Sequence, residues 1–207
     1  LFLPGFNGLV VFKCVRGKEI SMTAQKKQIR MLAEGALVVA MSIVLSYIEI
    51  PIGLQYGGSI DFVMIPIIIY SVRWGAGCGL LSGLVFGSLQ FFLAGGVAVN
   101  WQSMLLDYSL AYMMIGLAGL IKNQPAKLWL SALIGCFGRF VIHYISGVTI
   151  YAEYMPDVFV GMKMSSPWFY SLLYNGLYML PSTVIAVICC AILAKSLKKY
   201  IEAADIK

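Results

Sequence analysis

Arg139, His143, Gly147 and Tyr151 recur at every fourth position, so they line one stripe of a helix, and His143 is the single histidine of the chain. Asp107 and Tyr108 interrupt the otherwise apolar stretch NWQSMLLDYSLAYMMIG, Asn100–Gly116. Asp61 stands at the start of another apolar run, and Tyr170 and Asn175 stand in the first turns of a third. Ionisable groups inside such runs are costly in hydrocarbon and face a partner or a cavity. Arg139 requires a counter-charge, which Asp61 or Asp107 could supply.

These residue types favour non-covalent capture over bond chemistry. Acidic groups among tyrosines suit an organic cation, because a carboxylate neutralises it and aromatic faces attract it. His143 and Asn175 donate and accept hydrogen bonds, as a nitrogen heterocycle requires. The expected ligand is small, flat and cationic. The competing reading is a polar cluster that only ties helices together.

Catalysis finds no matching constellation. The stretch GLLSG, Gly79–Gly83, lacks the glycine two positions before Ser82 that a serine-protease elbow would have, and His143 is already placed in the ligand stripe. The chain carries no H-E-x-x-H zinc motif and no G-x-x-x-x-G-K-[ST] phosphate loop, so it is not expected to hydrolyse ATP itself. Cys14, Cys78, Cys136, Cys189 and Cys190 show no C-x-x-C spacing and read as small apolar residues. No metal site and no cofactor are implied.

The elements that position these residues are transmembrane helices. Of 207 residues 60% are hydrophobic and 12% charged, with a mean hydropathy of +0.87, too little charge to clothe a soluble core. The expected fold is an all-α integral membrane protein of six helices, over Met31–Tyr47, Ile60–Val72, Ala76–Leu93, Trp101–Ile121, Leu128–Ile150 and Trp168–Leu193. The second run is short for a span and is expected to be tilted or partly buried.

Lys26, Lys27 and Arg30 precede the first run, Arg73 follows the second, Lys122 and Lys127 follow the fourth, and Lys195, Lys198 and Lys199 follow the sixth. The alternate loops hold Glu49, Asn100, Glu153, Asp157 and only Lys163. Basic loops face the cytoplasm, so both termini are expected there, in the cell membrane. The net charge of +6 then belongs to the anionic inner leaflet, and no nucleic acid is needed. In this topology Asp61, Asp107, Tyr108, His143, Tyr151, Tyr170 and Asn175 converge from separate helices on one depth near the outer face. Asp107 lies roughly 9 Å in from the outer end of its run.

Residues 1–21 lack a basic leader region and a cleavage site, and Met22 reads as a natural start. They are expected to be a non-native or over-extended segment, with residues 22–207 forming a single six-helix membrane domain. Gly75, Gly79, Gly83 and Gly87 form an i+4 stripe expected to serve internal packing, and Ala36 and Ala40 form a small-residue pair on the first helix.

The motifs GGSIDFVMIPI (Gly57–Ile67), LLDYSLAY (Leu105–Tyr112), HYISG (His143–Gly147) and YSLLYNG (Tyr170–Gly176) resemble the thiamine-specific substrate-binding (S) subunit of energy-coupling-factor (ECF) vitamin transporters. The similarity runs from about Lys27 to Lys199. It implies an ECF S-component that captures thiamine at the outer face and docks on a transmembrane coupling (T) subunit driven by two separate ATPase subunits. Matched by motif, Asp107 stands at an acidic position beside Tyr108, His143 at the site histidine and Arg139 at a basic position one turn earlier. Tyr170 and Asn175 match ligand-contacting residues, and Asp61 matches an acidic position on the second helix. Ala36 and Ala40 match the docking face for the coupling subunit. Two positions depart from the family: Tyr151 stands where a tryptophan can occur, and Gly57 where a tryptophan can cap the site from the first outer loop. Sister subunits take hydroxymethylpyrimidine, pyridoxine, riboflavin or biotin on the same scaffold; hydroxymethylpyrimidine is the alternative ligand.

Overall fold

The long apolar runs become helices because only a helix satisfies its own backbone hydrogen bonds in lipid. A computed structural model of the chain describes residues 8–203, with side chains from Ala24 onward. Helix α1 (Gly8–Ser46) leads into a small hairpin of β1 (Ile50–Pro51) and β2 (Ser59–Ile60), paired antiparallel with Ile50 opposite Ile60. Helices α2 (Met64–Trp74) and α3 (Ala76–Leu93) follow, then the composite helix α4 (Trp101–Leu120). A turn at Pro125–Lys127 enters α5 (Leu128–Thr149). A second hairpin, β3 (Val158–Phe159) and β4 (Met162–Lys163), precedes α6 (Pro167–Ser196) and a terminal turn, Lys198–Ile201. Both hairpins lie in loops of the end opposite the lysine-rich loops.

Five of these helices are long and apolar enough to cross a membrane, and α2 is not. At 1.5 Å per residue α2 is about 16 Å long, against a hydrocarbon core of about 30 Å. It survives because it is enclosed: nine of its eleven residues are buried among the other helices. The chain is a multi-pass membrane protein. The segment Leu1–Ser21, set apart above, falls outside the described residues for its first seven positions and outside the described side chains throughout.

Small residues let the helices approach at backbone distance. A Cβ placed on Gly79 would meet Ser71 Oγ at 2.1 Å and Gly116 Cα at 2.9 Å. On Gly83 it would meet Tyr112 O at 2.2 Å, and on Gly87 Tyr108 O at 2.2 Å. These three glycines therefore seat α3 directly on α4, as the stripe predicts. Gly75 does not belong with them. Its φ of +101° makes the break between α2 and α3, a conformation that side chains rarely adopt.

Arg73 is also placed otherwise than expected. It is not a solvated loop cation but a fully buried residue in the last turn of α2, paired through Nε with Glu34 of α1 at 2.8 Å. Glu34 also accepts from Trp74 Nε1 at 2.7 Å, Tyr200 Oη at 2.8 Å and Arg30 Nε at 2.9 Å. Arg73 further donates to Tyr200 O and stacks on the Tyr200 ring at 4.1 Å. The carboxylate at this depth is what allows the arginine to leave solvent. Asn123 closes the knot by donating to Arg73 O at 3.1 Å and Ile201 O at 2.9 Å.

Overpacking the α3–α4 seam should be expensive where unoccupied space is not. Gly83→Ala is predicted to cost about 1–3 kcal/mol. Gly77→Ala, which meets nothing within 4 Å, should be close to neutral. Thermal unfolding of the two detergent-purified variants checks this.

Candidate functional site

The cavity begins with a defect in α4. Residues Leu105–Leu110, LLDYSL, form a π-helical turn, in which the Ala111 amide reaches back five residues to Leu106 O. Such turns widen a helix and recur at functional sites. Here the extra residue lets the neighbours Asp107 and Tyr108, and Tyr112 beyond them, all line one cavity of about 280 Å³. Its remaining walls come from the first hairpin loop, the end of α3, α5 and its following turn, and the first turns of α6.

A buried chain of charge runs through its wall. Arg139 donates from Nη1 and Nη2 to the same oxygen, Asp61 Oδ2, both at 3.2 Å, and their side chains are only 4% and 6% exposed. Arg139 Nη2 also donates to Tyr112 Oη at 2.9 Å, and the guanidinium lies 4.2 Å from the centre of that ring. Arg139 Nε donates to His143 Nε2 at 3.3 Å, so that nitrogen carries a lone pair. The imidazole is therefore neutral, with its proton on Nδ1, donated to Asp107 Oδ1 at 3.1 Å. Ser146 Oγ donates to the other oxygen, Asp107 Oδ2, at 2.9 Å. Of the two candidate counter-ions it is Asp61 that holds Arg139, while Asp107 orients the histidine.

Two carboxylates, Asp61 on the guanidinium and the half-buried Asp107 on the histidine, against the one guanidinium of Arg139 leave the cluster with one negative charge, carried toward the cavity by Asp107. Asp61 Oδ1 is buried with no hydrogen-bond donor among the described residues. Both features suit a ligand that is positively charged and carries N–H or O–H groups.

All eight predicted ligand residues, Asp61, Asp107, Tyr108, Arg139, His143, Tyr151, Tyr170 and Asn175, line this one cavity. Some are placed differently from the expectation. Asp61 is not in the second helix but in the extended stretch ahead of it, where its amide meets Ser182 Oγ at 3.3 Å. Tyr108 spends its hydroxyl on the α3–α4 loop, accepting from Val97 N at 2.6 Å and donating to Val97 O at 3.2 Å. Its ring remains available to the cavity. Asn175 donates to His143 O at 3.2 Å and Ser171 O at 3.0 Å, so it ties α6 to α5 as well as lining the site. Tyr151 lies in the turn after α5, where burial, with a smaller effect of the Asp107 charge, pushes its phenol above the ordinary value. It stays protonated across the physiological range.

Ala36 and Ala40 are not brought to the cavity; both are exposed on α1. The glycine at 57 does not leave its loop without an aromatic face. Tyr56 supplies one, 5.5 Å from the Tyr151 ring and 5.4 Å from Tyr154. Tyr174 Oη pins the loop, accepting from Tyr56 N at 2.9 Å and donating to Gly57 O at 2.8 Å.

Tyr56, Tyr112, Tyr174, Tyr178, Glu49 and Gln90 also line the cavity and were not singled out from the sequence. A signal existed for three. Tyr112 follows Tyr108 by one turn, and Tyr170, Tyr174 and Tyr178 repeat at i+4, the spacing that revealed the His143 stripe. Tyr178 donates to Asn175 Oδ1 at 2.8 Å and sets its ring edge-on to His143 at 5.9 Å.

Removing one member of the Arg139–Asp61 pair strands the other. Arg139→Met alone is predicted to cost about 3–5 kcal/mol. Adding Asp61→Asn should recover part of that loss, visible as a higher melting temperature for the double variant than for the single one.

Compared with known proteins, residues 32–202 match the thiamine transporter protein family (Thia_YuaJ). The thiamine transporter ThiT of Bacillus subtilis (strain 168) is 32% identical over 181 residues, covering 80% of this chain and 91% of that protein. The thiamine transporter ThiT of Lacticaseibacillus paracasei is 29% identical over 185 residues, covering 82% and 89%. Among solved structures, ThiT from Listeria monocytogenes superposes with a TM-score of 0.73 at 24% identity, over 84% of this chain and 98% of that one.

Proposed function

This chain belongs to the thiamine transporter protein family, and on that premise we propose that its cavity captures thiamine from the outer face of the cell membrane. The role is transport rather than catalysis. The observation that carries the ligand is the charge balance: Asp61 and Asp107 against Arg139 alone, with His143 neutral. A buried net charge is costly in a membrane, and the permanent cation of the thiazolium offsets it. The tyrosines that line the cavity present ring faces for that cation and for the flat pyrimidine. Thiamine is cargo here, and its binding is read as needing no cofactor.

Orientation follows from the lysines. Lys122, Lys127, Lys195, Lys198 and Lys199 are exposed at the end opposite the hairpins. The excess of basic residues supports an orientation with that end, and both termini, in the cytoplasm and the hairpin loops outside. The enclosed Arg73 is neutralised by Glu34 and adds nothing to this count. The family resemblance supports reading the chain as the S-component of an ECF transporter that works with a transmembrane coupling subunit and two ATPase subunits. The exposed face of α1 around Ala36 and Ala40 supports this, since small residues give a partner helix close access.

Two measurements test the proposal. Calorimetric titration of the detergent-purified protein should give saturable thiamine binding, weakened about ten- to a hundredfold in Asp107→Asn without loss of folding. Binding of hydroxymethylpyrimidine in preference to thiamine would move the cargo to the precursor. In cells, Ala36→Trp is predicted to abolish thiamine uptake while the purified variant binds thiamine normally. Uptake unchanged by that substitution would remove the docking role.

A further inference from the structure

Asp61 Oδ1 shares its condition with one other side-chain atom. Gln90 Oε1 is also buried without a hydrogen-bond partner among the described residues, and Gln90 lines the same cavity from the last turn of α3. The two residues are linked. Asp61 Oδ2 accepts from Arg139 Nη2, which donates in turn to Tyr112 Oη, and the Gln90 amide lies against that hydroxyl. Their neighbours are already engaged: both ring nitrogens of His143 and both oxygens of Asp107 have partners. The residues lining the cavity therefore include two acceptors, from two elements, that no described residue engages. Leaving such groups unmade is expensive, so each is placed for a donor that comes with the ligand.

We propose that Gln90 is a specificity-determining contact, and that Gln90 Oε1 and Asp61 Oδ1 each accept a hydrogen bond from one donor group of the bound ligand. This rests on the thiamine reading above. Thiamine carries two donor groups, the exocyclic amine of its pyrimidine and the hydroxyl of its side chain, and two unused acceptors match them in number and kind. The pair selects against analogues in which a donor has become an acceptor or has been removed. A polar residue on an otherwise lipid-spanning helix is thereby explained, since Gln90 lies between Leu89 and Phe91 in α3.

The test is calorimetric titration of the full chain with thiamine, with oxythiamine, in which an oxo group replaces the amine, and with a thiamine bearing ethyl in place of hydroxyethyl. Wild type should prefer thiamine to both. Gln90→Leu should bind thiamine about tenfold more weakly, the loss of roughly one hydrogen bond, and should lose its discrimination against one of the two analogues while keeping the other. Which analogue it is identifies the donor that Gln90 reads. Gln90→Glu, which keeps an acceptor, should hold thiamine at least as well as Gln90→Leu and retain the discrimination. Gln90→Met stands in if the leucine variant does not fold. Wild-type affinities for all three ligands in Gln90→Leu would overturn the proposal. So would a selective loss of oxythiamine, which would show the amide donating rather than accepting. Wild-type protein that takes no thiamine at all overturns the thiamine reading, and this inference with it, and is recognised before any variant is made.

Discussion

The buried guanidinium of Arg139 is the constraint around which the site is organised. A cation at that depth requires a carboxylate, and Asp61 meets it with both Nη groups on one oxygen. That bond fixes the stretch between β2 and α2, and so sets where the enclosed helix α2 begins. The remaining nitrogen, Nε, determines the tautomer of His143, which in turn aims Nδ1–H at Asp107. One arginine thus places an acid from one element, a histidine from its own helix and a second acid from α4. The second acid is left with no cation of its own, and the negative charge of the cavity follows.

Close helix packing makes this geometry possible. Gly83 and Gly87 bring α3 against the carbonyls of Tyr112 and Tyr108, on either side of Ser109 in the π-helical turn. The glycines that clear α3 of side chains at this contact seat it on the backbone of α4, whose Asp107, Tyr108 and Tyr112 line the cavity. At the opposite end a second arginine, Arg73, plays a comparable part, gathering α1, α2 and the terminal turn on Glu34. One ion pair, Arg139–Asp61, thus stands in the wall of the site, and the other, Arg73–Glu34, ties the opposite end of the helices together.

Much of this was legible before any coordinates. Hydropathy alone located six helices, and α3 begins and ends at the residues expected, Ala76 and Leu93. The convergence of seven residues on one cavity followed from topology and depth, and Arg139 joined them through its place on the His143 stripe. What could not be read has physical causes. Arg73 looked like a loop cation because its partner Glu34 lies 39 positions away, beyond any local pattern. The π-helical turn leaves no mark in composition, since LLDYSL is an acceptable α-helical stretch. Tyr56 belongs to a loop, where no periodicity announces which side chains face inward. Gln90 sat on a helix read for its glycines, Ser82 and Cys78, where a lone amide among apolar residues carries no spacing signal.

The central claim is that a buried excess of negative charge selects a cation. It is tested most directly by titrating the unaltered protein with thiamine and with its neutral deaza isostere, in which carbon replaces the charged ring nitrogen. Shape and hydrogen-bonding groups are shared by the two, so the difference in affinity reports the charge. The account predicts that the neutral isostere binds at least about tenfold more weakly, the equivalent of about 1.4 kcal/mol. Equal affinity would contradict it, and would mean that Asp107 serves the protein's own hydrogen bonds rather than the charge of its ligand.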